Sequence, residues 1–166
     1  MTVFERFRPA WRRLFLGSRS PRPDDLPFVD RAADLAWEAD AAGNAPIGAV
    51  IVLNGRVVAE GRNAVRMPTP DPSRHAEIEA LAALPPELGA RAAEMTCYAS
   101  MEPCRMCVEA ITAHGIRRIV FGARGYLSFP RRHPASVEWI GPVGDDRSRR
   151  LRRQARRSVM RRIAGG

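Results

Sequence analysis

The chain has 166 residues, 45% of them hydrophobic and 27% charged, which suits one globular domain whose core needs no disulfide scaffold. No apolar run reaches the length of a bilayer span, and three cysteines, an odd number, do not make a disulfide framework. The formal charge is +9 with no lysine, so every basic side chain except histidine is a permanently charged arginine.

The chain opens MTVFERFRPAWRRLFLGSRS. Phe4, Phe7, Trp11, Leu14 and Phe15 recur at helical spacing opposite Arg8, Arg12 and Arg13. The arginines interrupt any apolar stretch a secretory signal would need, so the chain reads as cytoplasmic. SRSPRPDDLP then reads as a linker. Residues 1–26 are accordingly set apart as a basic amphipathic extension, with the main domain at 27–166.

Phe28 to Ala42 has helical periodicity, with Phe28, Ala32, Leu35, Ala36 and Ala39 on one face and Gly43-Asn44 as the stop. Gly48 to Leu53 and Arg56 to Glu60 are strands, joined by Asn54-Gly55, the strongest two-residue hairpin signal. Gly61 to Arg74 is polar and proline-rich and reads as a loop. A helix follows over His75 to Leu84, stopped by Pro85-Pro86. Met95 to Ser100 is a strand, Arg105 to His114 a helix with Gly115 as its stop, and Arg117 to Gly122 a strand. Strand, helix, strand in that order implies a parallel crossover. Ser136 to Ile140 is a last strand, and Asp145-Asp146 would open a final helix with acids at its positive end. The sum is an α/β fold: a three-layer α/β/α sandwich with a mixed central sheet of about five strands.

Two short motifs carry chemistry. His75-Ala76-Glu77 opens one helix, and Pro103-Cys104-Arg105-Met106-Cys107 opens another. At a helix start, Cys-x-x-Cys lets both sulfurs converge on one ion, and the partial positive charge there favours thiolate. Two thiolates and an imidazole leave a fourth tetrahedral position open, the pattern of a catalytic rather than a structural Zn2+ site. A carboxylate beside such a site, here Glu77, can move the proton that a departing amine requires. Cys97 reads as a buried strand residue, and His114 as a C-terminal cap. Glu102 suits either a helix cap or a brace for the metal site.

The paired motifs resemble the cytidine and deoxycytidylate deaminase superfamily, whose H-x-E and P-C-x-x-C signature pairs three zinc ligands with a non-ligand glutamate. APIGAVIVLNGRVVAEGRNAV, DPSRHAEIEAL and TCYASMEPCRMCVEAITAHGIRRIVFGAR resemble the branch of guanine deaminases, cytosine deaminases and tRNA adenosine deaminases, over roughly residues 27–124. The resemblance implies a cytidine deaminase-like fold and a homodimer. It implies that His75, Cys104 and Cys107 bind zinc and that Glu77 is the general acid and base. It further implies that Asn63 and the Ala76 N–H meet the substrate, and that Ala45, Pro46, Ile47 and Met101 line its pocket.

The expected activity is hydrolytic removal of an exocyclic amino group from a nucleobase or nucleoside. After FGAR the chain reads Gly125-Tyr126-Leu127-Ser128-Phe129-Pro130, unlike the Lys-Thr-Gly-Ala-type loop of the resembling tRNA adenosine deaminases, so editing of adenosine in tRNA is the alternative. The acidic pocket residue of guanine deaminases has only Glu138 as a candidate. Phe129 and His133 are further candidates for substrate contact. In another class, the chain would be a non-catalytic RNA-binding or regulatory subunit on the same scaffold. From Arg147 to Arg162 the chain holds nine arginines and no acid, equal to the whole net charge. Such a segment suits RNA as a partner, or simply a solvated helix face.

Overall fold

The computed structural model describes residues 18–19, 21–125, 136–143, 146, 149–150 and 152–157. The apolar stripe of Phe4 to Phe15, the candidates Phe129 and His133, and Asp145 lie outside the described residues.

The described strands are β1 (Ser18–Arg19), β2 (Gly48–Leu53), β3 (Arg56–Arg62), β4 (Thr96–Met101), β5 (Arg118–Ala123) and β6 (Glu138–Ile140). The helices are α1 (Leu26–Ala41), α2 (Ala76–Ala82) and α3 (Arg105–Ala113). Residues 152–157 are also helical, and 3-10 turns cover Pro23–Asp25 and Pro86–Glu94. The sheet order is β1-β6-β5-β4-β2-β3. β2 pairs antiparallel with both β3 and β4, whereas β4, β5, β6 and β1 run parallel. The mixed sheet and its opening hairpin are as the sequence predicts. Asn54 and Gly55 both have positive φ, 51° and 73°, as a two-residue primed turn requires.

Alternation along the strands divides the core between two faces. Ile51, Cys97, Ile119 and Phe121 pack beneath α2 and α3 with Ala80, Val108 and Ile111. Val50, Val52, Tyr98, Val120 and Ile140 pack beneath α1 with Val29 and Leu35. Two glycines set how closely the helices lie. A Cβ on Gly48 would fall 2.3 Å from the Ala32 carbonyl oxygen in α1. A Cβ on Gly61 would fall 2.1 Å from the Ala76 carbonyl oxygen and 2.3 Å from the Ala80 nitrogen in α2. The backbone of α2 therefore rests directly on β3, which fixes the height of the residues at its start.

The sheet has six strands rather than about five. The extra one, Ser18–Arg19, comes from residues the sequence assigns to an extension and linker, and it covers the otherwise open edge of β6. Asp25, from the same stretch, is buried at 2% exposure. Its carboxylate accepts hydrogen bonds from Tyr98 Oη (2.8 Å), the Arg22 N–H (2.7 Å) and Arg118 Nη1 and Nη2 (2.9 Å each). Asp25 thus ties the stretch before residue 27 to β4 and β5. Proline and charge mark a loop locally, whereas Asp25 finds its partners 73 and 93 residues away.

Candidate metal centre

The parallel strands β4, β5 and β6 end at one edge of the sheet, and there the two motifs meet. His75 and Cys104 are the N-cap residues of α2 and α3. Cys107 lies one turn into α3 and is fully buried, while Glu77 in the first turn of α2 is 3% exposed. Both helices pack on the same sheet face, so their starts converge.

His75 Nδ1 lies 3.6 Å from Cys104 Sγ and 3.5 Å from Cys107 Sγ, and the sulfurs are 3.5 Å apart. Zinc–sulfur and zinc–nitrogen bonds of about 2.3 and 2.05 Å in a tetrahedron give edges of about 3.8 Å between sulfurs and about 3.6 Å between sulfur and nitrogen. The observed triangle fits one face of such a tetrahedron. His75, Cys104 and Cys107 form a group able to hold a metal ion. Glu77 Oε2 lies 3.3 Å from Cys107 Sγ, against the same triangle.

The electrostatics follow from burial and crowding. Glu77 is pushed above the usual carboxylate range, first by burial, although its own backbone N–H and the Cys107 thiol oppose this. Cys104 is lowered to about 4, chiefly through its hydrogen bond with Cys107 and then with His75. Cys107 moves up through that same bond, through burial and through the nearby Glu77. His75 moves up through its bond with Cys104. Burial and crowding thus favour the thiolate at Cys104 and the protonated forms of Cys107 and Glu77.

Around the cluster, Ala76 is the first residue of α2, fully buried over Gly61. Asn63 follows β3 at 3% exposure; its N–H donates to the Ile47 carbonyl at 2.9 Å, and its Oδ1 accepts the Val65 N–H at 3.3 Å. Ala45, Pro46 and Ile47 form the tight turn into β2, with the Ile47 N–H on the Ala45 carbonyl at 2.8 Å. Met101 ends β4, buried at 5% exposure. These residues gather at the sheet edge that carries the cluster. Glu138 does not: it begins β6 at the opposite edge, 3.2 Å from Arg118 Nε.

Residues 23–123 match the family described as the cytidine and deoxycytidylate deaminase zinc-binding region. The chain belongs to that family. A tRNA-specific adenosine deaminase of Haemophilus influenzae is 41% identical over 104 residues, covering 61% of this chain and 60% of its own length. A guanine deaminase of Bacillus subtilis is 44% identical over 86 residues, covering 51% and 54%. The chain therefore spans a little over half the length of these curated relatives. A solved structure described as a guanine deaminase from Nitrosomonas europaea has the same fold, with a TM-score of 0.67 over 90% of this chain and 93% of that one at 22% identity.

Sequence reasoning read Asn44 only as part of a helix stop, left Glu102 open between a helix cap and a brace for the metal site, and missed Ser100. Asn44 is buried, and its Oδ1 accepts the N–H groups of Arg66 (2.9 Å) and Met67 (3.0 Å) while Nδ2 donates to the Met67 carbonyl at 3.3 Å. It clamps the loop after Asn63 to the turn before β2. Ser100 Oγ accepts the Gly48 N–H at 3.0 Å and ties β2 to the end of β4. The Glu102 backbone N–H donates to the Ala123 carbonyl, and its Oε2 accepts the Gly125 N–H at 3.3 Å. It holds the approach to Cys104 against the end of β5. Asn44 carried a local signal as a turn residue after glycine, whereas Ser100 carried none.

Proposed function

We propose that the chain is a zinc-dependent hydrolytic deaminase that replaces an exocyclic amino group of a nucleobase or nucleoside with oxygen and releases ammonia. The observation that carries this reading is the buried Glu77 carboxyl set against the three-donor cluster of His75, Cys104 and Cys107. A cluster with a purely structural task has no use for a protonatable carboxyl at 3.3 Å from a ligand sulfur.

His75, Cys104 and Cys107 would hold the zinc, whose Lewis acidity makes hydroxide available near neutral pH. Glu77 takes a proton from the attacking water and passes it to the departing nitrogen. Its raised proton affinity suits the second half of that task, since a carboxyl that holds its proton can deliver it to an amine. Asn63 is oriented by its Oδ1 bond to Val65, and its amide N–H groups are suited to donate to an acceptor on the base. The Ala76 N–H, at the positive end of α2, suits the oxygen on which charge develops. Ala45, Pro46, Ile47 and Met101 supply apolar contact for a flat ring.

The test is ammonia release by zinc-loaded protein from guanine, cytosine, adenine, their nucleosides and bulk tRNA. Wild type should release ammonia from at least one of them. Glu77→Ala should keep one equivalent of zinc and lose about 10²- to 10⁴-fold in kcat. Full activity in that variant would exclude the mechanism. Zinc binding with no ammonia from any substrate would favour the non-catalytic subunit. Adenosine within tRNA remains the second reading, favoured by the arginine-rich helix; ammonia from tRNA but from no free base would establish it. Pairing of two copies and residence in the cytoplasm are proposed with the same reading, and a sedimentation measurement tests the pairing.

A further inference from the structure

α2 starts without a side-chain cap. Its N-cap residue, His75, has an extended backbone (φ −72°, ψ 154°) and makes no capping bond; its imidazole lies against the sulfurs of Cys104 and Cys107 instead. The neighbouring residue supplies another restraint. Arg74 donates from Nε to Glu79 Oε1 at 3.1 Å and from Nη2 to Glu79 Oε2 at 2.7 Å. Counted from the cap, these are positions N′ and N4, the pair that a hydrophobic staple joins to fix the angle at which a chain enters a helix. Here a two-pronged ion pair joins them. Both side chains are partly buried, at 34% and 27% exposure.

Both ends of the pair are anchored. Glu79 stands where α2 rests on β3, since a Cβ on Gly61 would fall 2.9 Å from the Glu79 carbonyl carbon. Arg74 closes the loop that follows β3. Its carbonyl accepts the Ala64 N–H at 3.0 Å, next to Asn63, and its N–H donates to the Asp71 carbonyl at 3.3 Å. The Asp71 N–H donates to the Val65 carbonyl at 2.8 Å, and the Asp71 carboxylate accepts the Ser73 N–H at 2.8 Å and the Ser73 hydroxyl at 2.6 Å. Arg74 therefore bonds through its side chain to α2, through its carbonyl to the chain beside Asn63, and through its peptide bond to His75.

We propose that the Arg74–Glu79 fork is a positioning clamp that sets His75 at the cluster and holds Asn63 at a fixed distance from it. The Asn63 half rests on the deaminase reading above, in which Asn63 meets the base and His75 holds zinc. Exposed ion pairs contribute little as a rule. This one joins a loop to a helix, and a planar fork fixes direction as well as distance. Arg91 and Glu94 form the comparison pair. They make the same two bonds, at 2.9 and 2.6 Å, but within one 3-10 turn and at 43% and 52% exposure. Arg91 lines a cavity beside the β2–β3 hairpin turn, at the other end of β2 from Gly48.

The test uses the full chain loaded with cobalt(II), whose visible absorption reports ligand geometry, together with zinc competition against a chromogenic chelator. Arg74→Ala and Glu79→Ala should shift the cobalt bands in the same way. Each should weaken zinc binding by about tenfold or more, the loss expected when a group that orients a ligand is removed. The double variant should be no worse than either single one, because both break one contact. Arg74→Lys keeps the charge without the fork and should recover only part of the loss. On whichever substrate releases ammonia, KM should rise in the single variants and return in part with Arg74→Lys. Glu79→Gln, which loses one prong, carries the same expectations at smaller size if Arg74→Ala fails to fold by far-ultraviolet circular dichroism. A folded Arg74→Ala variant with a lower melting temperature but unchanged bands, zinc affinity and KM overturns the proposal. So do additive losses in the double variant, or an equal band shift in Arg91→Ala with Glu94→Ala, which should change zinc binding less than about twofold. Ammonia release with bands and KM indifferent to the fork removes the clamp and leaves the deaminase. Fork-dependent bands and zinc affinity with no ammonia from any substrate keep the clamp on His75 and remove the deaminase reading with its Asn63 half.

Discussion

Asn44 shows how one buried amide shapes a site it does not enter. Its oxygen satisfies two backbone N–H groups in the loop after Asn63, and its nitrogen returns to a carbonyl of that loop. Asn44→Ala leaves both N–H groups without that acceptor, a loss worth about 1–3 kcal/mol. The loop, and Asn63 with it, should then sample other positions. We expect KM to rise more than kcat falls, with Asn44→Asp restoring most of the loss because it keeps the acceptor oxygen; steady-state kinetics on whichever substrate releases ammonia checks this. The cluster of His75, Cys104 and Cys107 with Glu77 beside it was legible in the sequence because it is carried by short spacings, two residues from His75 to Glu77 and three between the cysteines. The role of Asn44 was not, because its partners lie 22 and 23 residues away across a proline-rich loop.

The elements owe their placement to a few close approaches and one buried ion pair. Gly61 admits the backbone of α2, so Gly61→Ala must lift the helix that begins with His75 and Glu77. Overpacking of this kind costs about 1–3 kcal/mol, and zinc occupancy should fall along with the melting temperature. Gly89→Ala, where an added Cβ meets nothing within 4 Å, should leave both unchanged in metal analysis and thermal melts. Asp25 ties the segment before α1 to β4 and β5. Burial pushes its carboxyl up, but hydrogen bonds from Arg118, the Arg22 N–H and Tyr98 outweigh this and hold it below its ordinary value of 3.8. A depressed carboxyl contributes stability that is fully present above the unfolded value, near pH 4, and is lost as pH falls through the folded value. Asp25→Ala should therefore cost about 3 kcal/mol at pH 7, the low end for a broken buried pair because Glu138 still faces Arg118 at 3.2 Å. Urea titrations at pH 7 and pH 3 should show that gap narrowing in acid. The opening hairpin and the parallel crossover were readable from period and turn chemistry. The two-residue β1 was not, since so short a strand exists only because β6 offers an edge.

At the scale of the molecule, the cluster joins two helices that already share a core. Phe121, Ile111 and Ile119, all fully buried, pack beneath α2 and α3 and owe nothing to a metal. Removal of zinc by a chelator should therefore leave the far-ultraviolet circular dichroism spectrum intact. The melting temperature should nevertheless fall, because an ion bound only by the folded chain stabilises it by mass action. The metal-free protein should also show its cysteines in a definite order. Cys104, lowered to about 4, is a thiolate at pH 6, whereas burial pushes the Cys97 thiol up and the bond with Cys104 raises Cys107. Iodoacetamide at pH 6 should alkylate Cys104 first in the chelated protein, read by mass spectrometry of the peptides. Zinc should suppress the reaction in proportion to its occupancy. Equal labelling of Cys97 would mean that the fold opens when the metal leaves, and that the core beneath the two helices does not suffice to hold the sheet edge closed.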